Sequence, residues 1–228
     1  MEMGTEYHDE NAKAYRAKYK SGFGLNYPEG HIIRVHLHIL KHELGMTSGR
    51  IFDYGCGTGI HLKYFMDNGF EPSGCDIDPI AIEKCKERMP EFKDNFFVIP
   101  PVPDLRGKVT GRFDIVLSNQ ALYFIDDDGI KNLVHQFHDL TKNGGVFFAT
   151  MMDPRSFYYS QVVSKFGCMS KVVLDGRLKT NLFINFKAST DLVELFIPFK
   201  KLHLGYYSDL IREDEGICLH NMYVGVKG

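Results

Sequence analysis

Several features that would place this chain in a specialised class of protein are missing. No run of lysine and arginine stands out, and 27 basic and 29 acidic residues give a net charge of −2. Dedicated binders of nucleic acid carry a basic patch, so we expect no nucleic-acid partner. No apolar stretch approaches the roughly 18 residues of a membrane span, so we expect no membrane insertion. The first ten residues do not resemble a signal peptide, which favours a cytoplasmic location.

The cysteines and histidines give no sign of a disulfide framework or a metal site. The chain has five cysteines and no CxxC pair, a pattern that fits reduced thiols in a cytosolic protein. His38 and His42 have the i, i+4 spacing of a zinc pair. They lack the adjacent glutamate of H-E-x-x-H and an evident third ligand, so we predict no metal.

The chain shows no internal repeat, low-complexity tract or linker, which favours a single domain over residues 1–228. Strand patterns at 50–54, 72–76, 96–99, 113–118 and 146–151 alternate with helical patterns at about 28–44, 60–68, 79–88 and 128–140, which predicts a parallel sheet built by right-handed crossovers. Two more strands, near 201–207 and 221–227, are joined by a loop containing R-E-D-E. That loop is too short for a helical crossover, so the last strand should run antiparallel to its neighbour. We predict an α/β fold.

The most informative stretch is R-I-F-D-Y-G-C-G-T-G-I-H at residues 50–61. Ligands of open α/β sheets bind outside the carboxyl ends of the strands, and Asp76 lies at the spacing for a ribose-binding acid. A dinucleotide fingerprint would need a third glycine where Ile60 stands. An acid on the strand end, Asp53, suits a cationic amine and would repel a pyrophosphate. The pattern therefore points to S-adenosylmethionine.

Four ordered motifs resemble those of the class I S-adenosylmethionine-dependent methyltransferases, which are a Rossmann-like family. Within that family, the chain is similar to the type-11 and type-12 groups. The four motifs are F-D-Y-G-C-G-T-G, G-C-D-I-D-P-I-A-I, F-D-I-V-L-S-N-Q-A-L-Y-F and L-T-K-N-G-G-V-F-F. The resemblance implies a seven-stranded, mostly parallel sheet with an antiparallel strand near one edge and helices on both faces. It also implies a cofactor site made by Asp53, Tyr54, Gly55, Cys56, Gly57, Gly59, Asp76, Ile77 and Asn119.

The resemblance divides the chain into four expected regions. These are an N-terminal helical lid (1–48), a cofactor-binding core (49–152), an acceptor-side insertion (153–188) and a closing helix and strand pair (189–228). Candidates for the acceptor side are Gln120, Tyr123, Tyr27, His31 and Tyr158. For His31 an ordinary surface position is an alternative interpretation, and the aromatic insertion could equally pack over the sheet edge. No general base stands out.

The function predicted from the sequence is methyl transfer from S-adenosylmethionine to an oxygen or nitrogen of a small molecule, with S-adenosylhomocysteine as the product. A sugar or glycan precursor is the favoured acceptor, and the protein is expected to be a monomer or homodimer. One alternative is a non-catalytic S-adenosylmethionine-binding module. Another is an NAD-type oxidoreductase, whose Tyr-x-x-x-Lys pair is matched only by Tyr223 and Lys227 on a predicted strand.

Overall fold

The computed structural model describes residues 10–14, 16, 26–100, 103–175, 180–210 and 216–228. Within them, ten strands form two sheets. The strands are β1 (Gly49–Tyr54), β2 (Phe70–Asp76), β3 (Phe96–Val98), β4 (Phe113–Ser118), β5 (Thr141–Met152), β6 (Val162–Phe166), β7 (Met169–Leu174), β8 (Thr180–Ile184), β9 (Lys200–Asp209) and β10 (Cys218–Val226). The α-helices are α1 (Gly30–Arg34), α2 (Ile60–Asp67), α3 (Pro79–Arg88), α4 (Asp127–Leu140), α5 (Phe157–Ser160) and α6 (Asp191–Leu195). Short 3-10 turns cover Pro90–Asn95 and Leu122–Phe124.

The large sheet has seven strands in the order β3–β2–β1–β4–β5–β10–β9. Strands β1 to β5 pair in parallel, whereas β10 runs antiparallel to both of its neighbours, β5 and β9. The predicted sheet, with its reversed strand next to an edge, is confirmed. The carboxyl ends of β1, β2 and β4 therefore meet on one side of the sheet, where ligands of this architecture bind.

Both faces of the large sheet are buried, which explains the nearly continuous apolar runs of its central strands. Neighbouring residues such as Ile51 and Phe52 point to opposite faces and belong to two separate cores. Residues of α1, α2 and α3 cover one face, and residues of α4 and α6 cover the other. Helices on both faces agree with the prediction.

Helix starts follow local chemistry that can be seen in the sequence. The Asp78 side chain accepts a 2.8 Å hydrogen bond from the Ile80 amide, and Pro79 occupies the first turn, so α3 begins where it was predicted. The helix predicted over residues 28–44 differs from its expected form. Only Gly30–Arg34 is α-helical, and Val35–Glu43 continues as a π-helix. His36 is buried there, and its Nδ1 lies 2.8 Å from the Tyr64 hydroxyl.

The expected insertion contains α5 and a second, antiparallel sheet in the order β6–β7–β8. Residues 10–14 are helical, and Glu10 and Asn11 contact this small sheet. The Asn11 side chain exchanges two hydrogen bonds with the backbone of Phe183, at 2.9 and 3.0 Å. Apart from Arg16, the remainder of the expected N-terminal lid up to residue 25 lies outside the described residues, as does the R-E-D-E loop. The division into four regions stays a prediction.

Candidate functional site

The glycine loop follows β1 and has left-handed backbone at Gly55, Gly57 and Gly59, with φ of 79°, 53° and 74°. A Cβ placed on Gly55 would lie 2.4 Å from the Cβ of Ala121, so the protein itself leaves no space for a side chain. The same holds at Gly59, where a Cβ would lie 2.8 Å from the Cys85 sulfur. Packing within the protein therefore explains in part why these positions are glycines. The sequence pattern alone suggested only a bound ligand as the reason.

Asp76, at the end of β2, fixes this loop. Its Oδ2 accepts a 2.9 Å hydrogen bond from the Gly57 amide, and its Oδ1 accepts one of 2.9 Å from the Asp78 amide. Each carboxylate oxygen has two lone pairs, so Asp76 retains capacity for further donors such as hydroxyl groups. Burial raises the pKa of Asp76, although the backbone donors oppose that shift. The residue thus supports the loop and keeps lone pairs that can accept from a ligand.

Asp53, on the strand end before the loop, is a buried acid with an unsatisfied carboxylate oxygen. It is 1% exposed, and its Oδ1 has no hydrogen-bond partner among the described residues. Burial raises the pKa of this carboxyl well above its usual range, and the nearby Asp76 raises it further. A buried carboxylate oxygen without a partner is costly, so a cationic or donor group bound beside it would be strongly favoured.

Two other predicted cofactor residues turn their side chains into the protein. The Tyr54 ring is buried and lies 5.3 Å from the Phe137 ring, which leaves its backbone as the part able to contact a ligand. The buried Cys56 sulfur lies 3.8 Å from the Cys85 sulfur. Ile77 is partly buried against the core.

At the end of β4, the side chains of Asn119 and Gln120 converge on Glu29, which immediately precedes α1. Asn119 Nδ2 donates to Glu29 Oε2 and Gln120 Nε2 donates to Glu29 Oε1, both at 2.7 Å. Gln120 has a φ of 55°, and its backbone N–H donates a 2.7 Å hydrogen bond to Thr150 Oγ1. Left-handed backbone in a residue other than glycine is uncommon and often marks a functional position. His31, His61 and Tyr207 contact these side chains. What we call the Glu29 cluster consists of Glu29, Asn119, Gln120, His31, His61 and Tyr207.

Glu29 is the fixed negative charge of this cluster. Burial alone would raise its pKa, but the close approach of His61, the positive potential of His31 and His61, and the Asn119 amide together lower it to about 2. The nearest imidazole nitrogens are His61 Nε2 at 3.5 Å and His31 Nε2 at 3.8 Å from Glu29 Oε2. Glu29 is therefore ionised near neutral pH.

Three stacked rings border the Glu29 cluster. The Tyr207 ring lies between those of His31 and His220, with centroid distances of 3.7 and 5.0 Å and interplanar angles of 11° on both sides. Tyr207 and His220 are direct partners across β9 and β10, and the Tyr207 hydroxyl accepts a 2.9 Å hydrogen bond from Gln120 Nε2. Burial lowers the pKa of His220 to about 4 and raises the pKa of Tyr207, so both rings are neutral near neutral pH.

The predicted acceptor-side residues separate into two groups. His31 and Gln120 belong to the Glu29 cluster, and the buried Tyr123 borders it, with its ring centroid 5.5 Å from that of His220. Tyr27 is 80% exposed, and Tyr158 lies in α5, part-buried and packed against the core. Sequence reasoning missed Tyr207 and His220 altogether. Their cross-strand pairing on β9 and β10 depends on a register that no local motif reveals.

Comparison with known proteins identifies the family. Residues 31–191 match the model of a methyltransferase domain. The chain belongs to this methyltransferase family. The match begins at His31, within the Glu29 cluster, and includes the glycine loop, Asp76 and Asn119. The class I fold predicted from the motifs is therefore confirmed.

Individual relatives are distant. The chain is 25% identical over 126 residues to the ubiquinone biosynthesis O-methyltransferase of Acinetobacter baumannii, covering 54% of this chain and 52% of the relative. It is 26% identical over 155 residues to the ribosomal RNA small subunit methyltransferase C of Idiomarina loihiensis, covering 65% and 45%. It thus spans about half the length of these curated relatives.

Among solved structures, the 1,6-didemethyltoxoflavin-N1-methyltransferase of Burkholderia thailandensis superimposes with a TM-score of 0.66 and 16% identity. The alignment covers 100% of this chain and 91% of that one. At this level of identity, the likeness establishes the shared fold.

Within the described part of the chain, no helix is long and apolar enough to cross a membrane. No group of three or more His, Cys, Asp or Glu residues in the same part of the chain is placed to hold a metal ion.

Proposed function

We propose that this protein is an S-adenosylmethionine-dependent methyltransferase that methylates a hydroxyl oxygen of a small aromatic molecule. The observation that carries the proposal is Asp53 Oδ1 beside the glycine loop, which has no hydrogen-bond partner among the described residues, with Asp76 at the neighbouring strand end. A relative is named as an O-methyltransferase, and a structure of the same fold holds S-adenosylhomocysteine. The sugar or glycan acceptor favoured by the sequence has no such support.

The residues present fit the proposed cofactor. Asp53 offers a buried acceptor for the amine of its methionine part, the loop from Gly55 to Gly59 offers backbone contact, and Asp76 offers lone pairs for ribose hydroxyls. Ile77, partly buried next to Asp76, would contact the adenine. When bound, S-adenosylmethionine supplies an activated methyl group on a sulfonium sulfur.

The chain's own contribution is mainly to orient the acceptor. Well-oriented reactants gain on the order of 7–11 kcal/mol from proximity alone. The Glu29 cluster presents amides and imidazoles that can bind a hydroxyl, and the neighbouring rings of Tyr207, His220 and Tyr123 suit an aromatic acceptor. Glu29 is a fixed anion, which disfavours a phosphate polymer as substrate, so we propose no nucleic-acid partner.

The oxidoreductase alternative is disfavoured by the placement of its candidate pair. The Tyr223 hydroxyl donates to the Phe199 carbonyl at 2.9 Å, inside the core. Lys227 Nζ donates to the carbonyls of His138 and Thr141 at 2.6 and 3.0 Å. Both residues are thus occupied by structural hydrogen bonds.

The decisive experiment is calorimetric titration of wild type and Asp76→Asn with S-adenosylmethionine, S-adenosylhomocysteine, NAD and the 2′-deoxyribose analogue of S-adenosylhomocysteine. Wild type should bind both sulfur compounds and not NAD. Because Asp76 also supports Gly57, Asp76→Asn should lower the affinity for every ligand by disturbing the loop. The loss of affinity should be smallest for the deoxyribose analogue, which lacks one of the ribose hydroxyls that Asp76 would bind. Binding of NAD alone, or an equal loss for both ribose forms, would contradict the assigned site. Methylation of a panel of small phenols then distinguishes an enzyme from a binding module.

A further inference from the structure

The hydrogen-bond network around Asn119 assigns the proton positions on His31. Glu29 is ionised and can only accept, so the amide nitrogen of Asn119 must face it, at 2.7 Å. The carbonyl oxygen Oδ1 of Asn119 is then left facing His31 Nε2, at 2.9 Å. Thr150 Oγ1 donates to the same oxygen at 3.3 Å. An acceptor oxygen requires a donor opposite it, so His31 carries its proton on Nε2 and a lone pair on Nδ1.

We propose that His31 is the general base of the reaction and that it accepts the acceptor's hydroxyl proton on Nδ1, while Asn119 and Glu29 act as positioning residues. This inference rests on the proposed function and deepens it. The O–H bond of the acceptor breaks, an N–H bond forms at Nδ1, and the electron pair stays on oxygen for the new O–CH3 bond. With S-adenosylmethionine bound, the electron pair of its C–S bond would remain on sulfur, and the positive charge would pass to the His31 imidazolium.

The surroundings of His31 suit both the neutral and the protonated form of its imidazole ring. Burial lowers the pKa of His31, which keeps the ring neutral and able to accept a proton near neutral pH. Once protonated, the ring has the Glu29 carboxylate 3.8 Å away. The other titratable groups facing it are His61 from α2, Tyr207 and Asp209 from β9, and His220 from β10. Of these, Asp209 favours the protonated ring and His61 opposes it.

Stacking on Tyr207 holds the ring in place. The two rings are 3.7 Å apart and nearly parallel, and Gln120 fixes the Tyr207 hydroxyl at 2.9 Å. His31 therefore has its plane set by Tyr207 and its rotation within that plane set by Asn119. A base fixed in this way loses little entropy when it accepts a proton.

The first test needs neither cofactor nor acceptor. Long-range proton–nitrogen NMR spectra of protein labelled with ¹⁵N-histidine report the tautomer and charge of each ring. Near neutral pH, His31 should be neutral with its proton on Nε2, and Asn119→Leu should populate both tautomers. A protonated His31, a proton on Nδ1, or an unchanged tautomer in Asn119→Leu would overturn the proposal.

The second test compares two phenols in steady-state methylation assays. His31→Gln keeps an N–H donor towards Asn119 and removes the basic nitrogen, and His38→Gln changes an exposed histidine that follows on the same helical segment. At a pH where 4-nitrocatechol is ionised and catechol is not, His31→Gln should lower kcat for catechol by about 10²–10⁴-fold. The kcat for 4-nitrocatechol should fall by less than about 10-fold because that substrate needs no base.

The outcomes separate the two proposals. Equal losses for both phenols, or a change confined to KM, would make His31 a binding residue and overturn its role as a base while methyltransferase activity stands. If wild type binds S-adenosylhomocysteine but methylates neither phenol, the proposed acceptor and the base both fall. His38→Gln should match wild type with both substrates.

Discussion

The amide of Asn119 and the carboxylate of Glu29 meet at 2.7 Å although 90 positions separate them in the sequence. This contact joins the end of β4 to the loop before α1. Because Asn119 also bonds His31, and Gln120 bonds both Glu29 and Tyr207, four parts of the chain share one polar network. Such a network rigidifies a site when all its members are satisfied.

The ionisation of Glu29 predicts an acid-dependent contribution to stability. Its pKa is lowered from 4.5 to about 2, so its contribution is fully present above pH 4.5 and is lost as the pH falls towards 2. A shift of that size corresponds to up to about 3 kcal/mol of unfolding free energy. In urea unfolding at a series of pH values, wild type should be more stable than Glu29→Gln near neutral pH, and the difference should shrink through this window.

An exposed glutamate provides the matched control for that series. Glu83 lies in α3 with 67% of its side chain exposed and pairs with Lys86. Such pairs contribute little, so Glu83→Gln should stay within about 0.5 kcal/mol of wild type at every pH. A constant difference between wild type and Glu29→Gln across the acid range would show that Glu29 is not the titrating group.

The buried Asp53 carboxyl is expected to lower the stability of the protein while it strengthens cofactor binding. Its pKa is raised in the folded protein, so its ionisation opposes folding increasingly as the pH rises above the ordinary value of 3.8. Asp53→Asn removes that cost, and the variant should be more stable than wild type near neutral pH. It also loses a charged acceptor for an amine, which weakens binding by about 10-fold or more.

Urea unfolding and calorimetric titration with S-adenosylhomocysteine measure these two effects of Asp53→Asn. The exposed Asp139 of α4 supplies the control Asp139→Asn, which should change neither quantity. A less stable Asp53→Asn that binds as tightly as wild type would mean that the carboxyl has a structural partner and no role in binding.

Sequence reasoning succeeded where the signal was local. The bounds of α3 and β4 follow from a capping aspartate with proline and from an apolar run, and both were predicted to the residue. It failed where long-range packing decides. The π-helical hydrogen bond from the Leu44 amide to the Ile39 carbonyl has no sequence signature. The stack of Tyr207 on His31 likewise requires the closing strand pair to be docked beside the N-terminal region.

The contact of Asn11 with β8 predicts that docking on the small sheet protects the N-terminal helical segment from proteolysis. The Asn11 side chain accepts a hydrogen bond from the Phe183 amide and donates one to the Phe183 carbonyl, as a neighbouring strand would. Asn11→Ala should therefore speed tryptic cleavage after Lys13 and Arg16 several-fold, measured by mass spectrometry. Asn95→Ala removes a single bond to the Pro72 carbonyl elsewhere and should leave that cleavage unchanged. Equal rates in wild type and Asn11→Ala would contradict the docking.

The close approach of Gly55 to Ala121 predicts a specific rescue. Gly55→Ala introduces a side chain at φ 79°, with its Cβ 2.4 Å from that of Ala121. The variant should lose about 1–3 kcal/mol from backbone strain and a similar amount from the clash. Gly144→Ala is the matched control, because φ is 74° there and no atom lies within 4 Å of the new Cβ, so strain is its main cost.

The double variant Gly55→Ala with Ala121→Gly separates the two costs of Gly55→Ala. Removing the Ala121 Cβ relieves the clash and leaves the strain, so the double variant should be more stable than Gly55→Ala alone and close to Gly144→Ala in urea unfolding. Additive losses from the two changes would mean that the residues do not interact. In that case packing against Ala121 would not explain Gly55, and the requirement for glycine there would rest on backbone conformation and on whatever the loop binds.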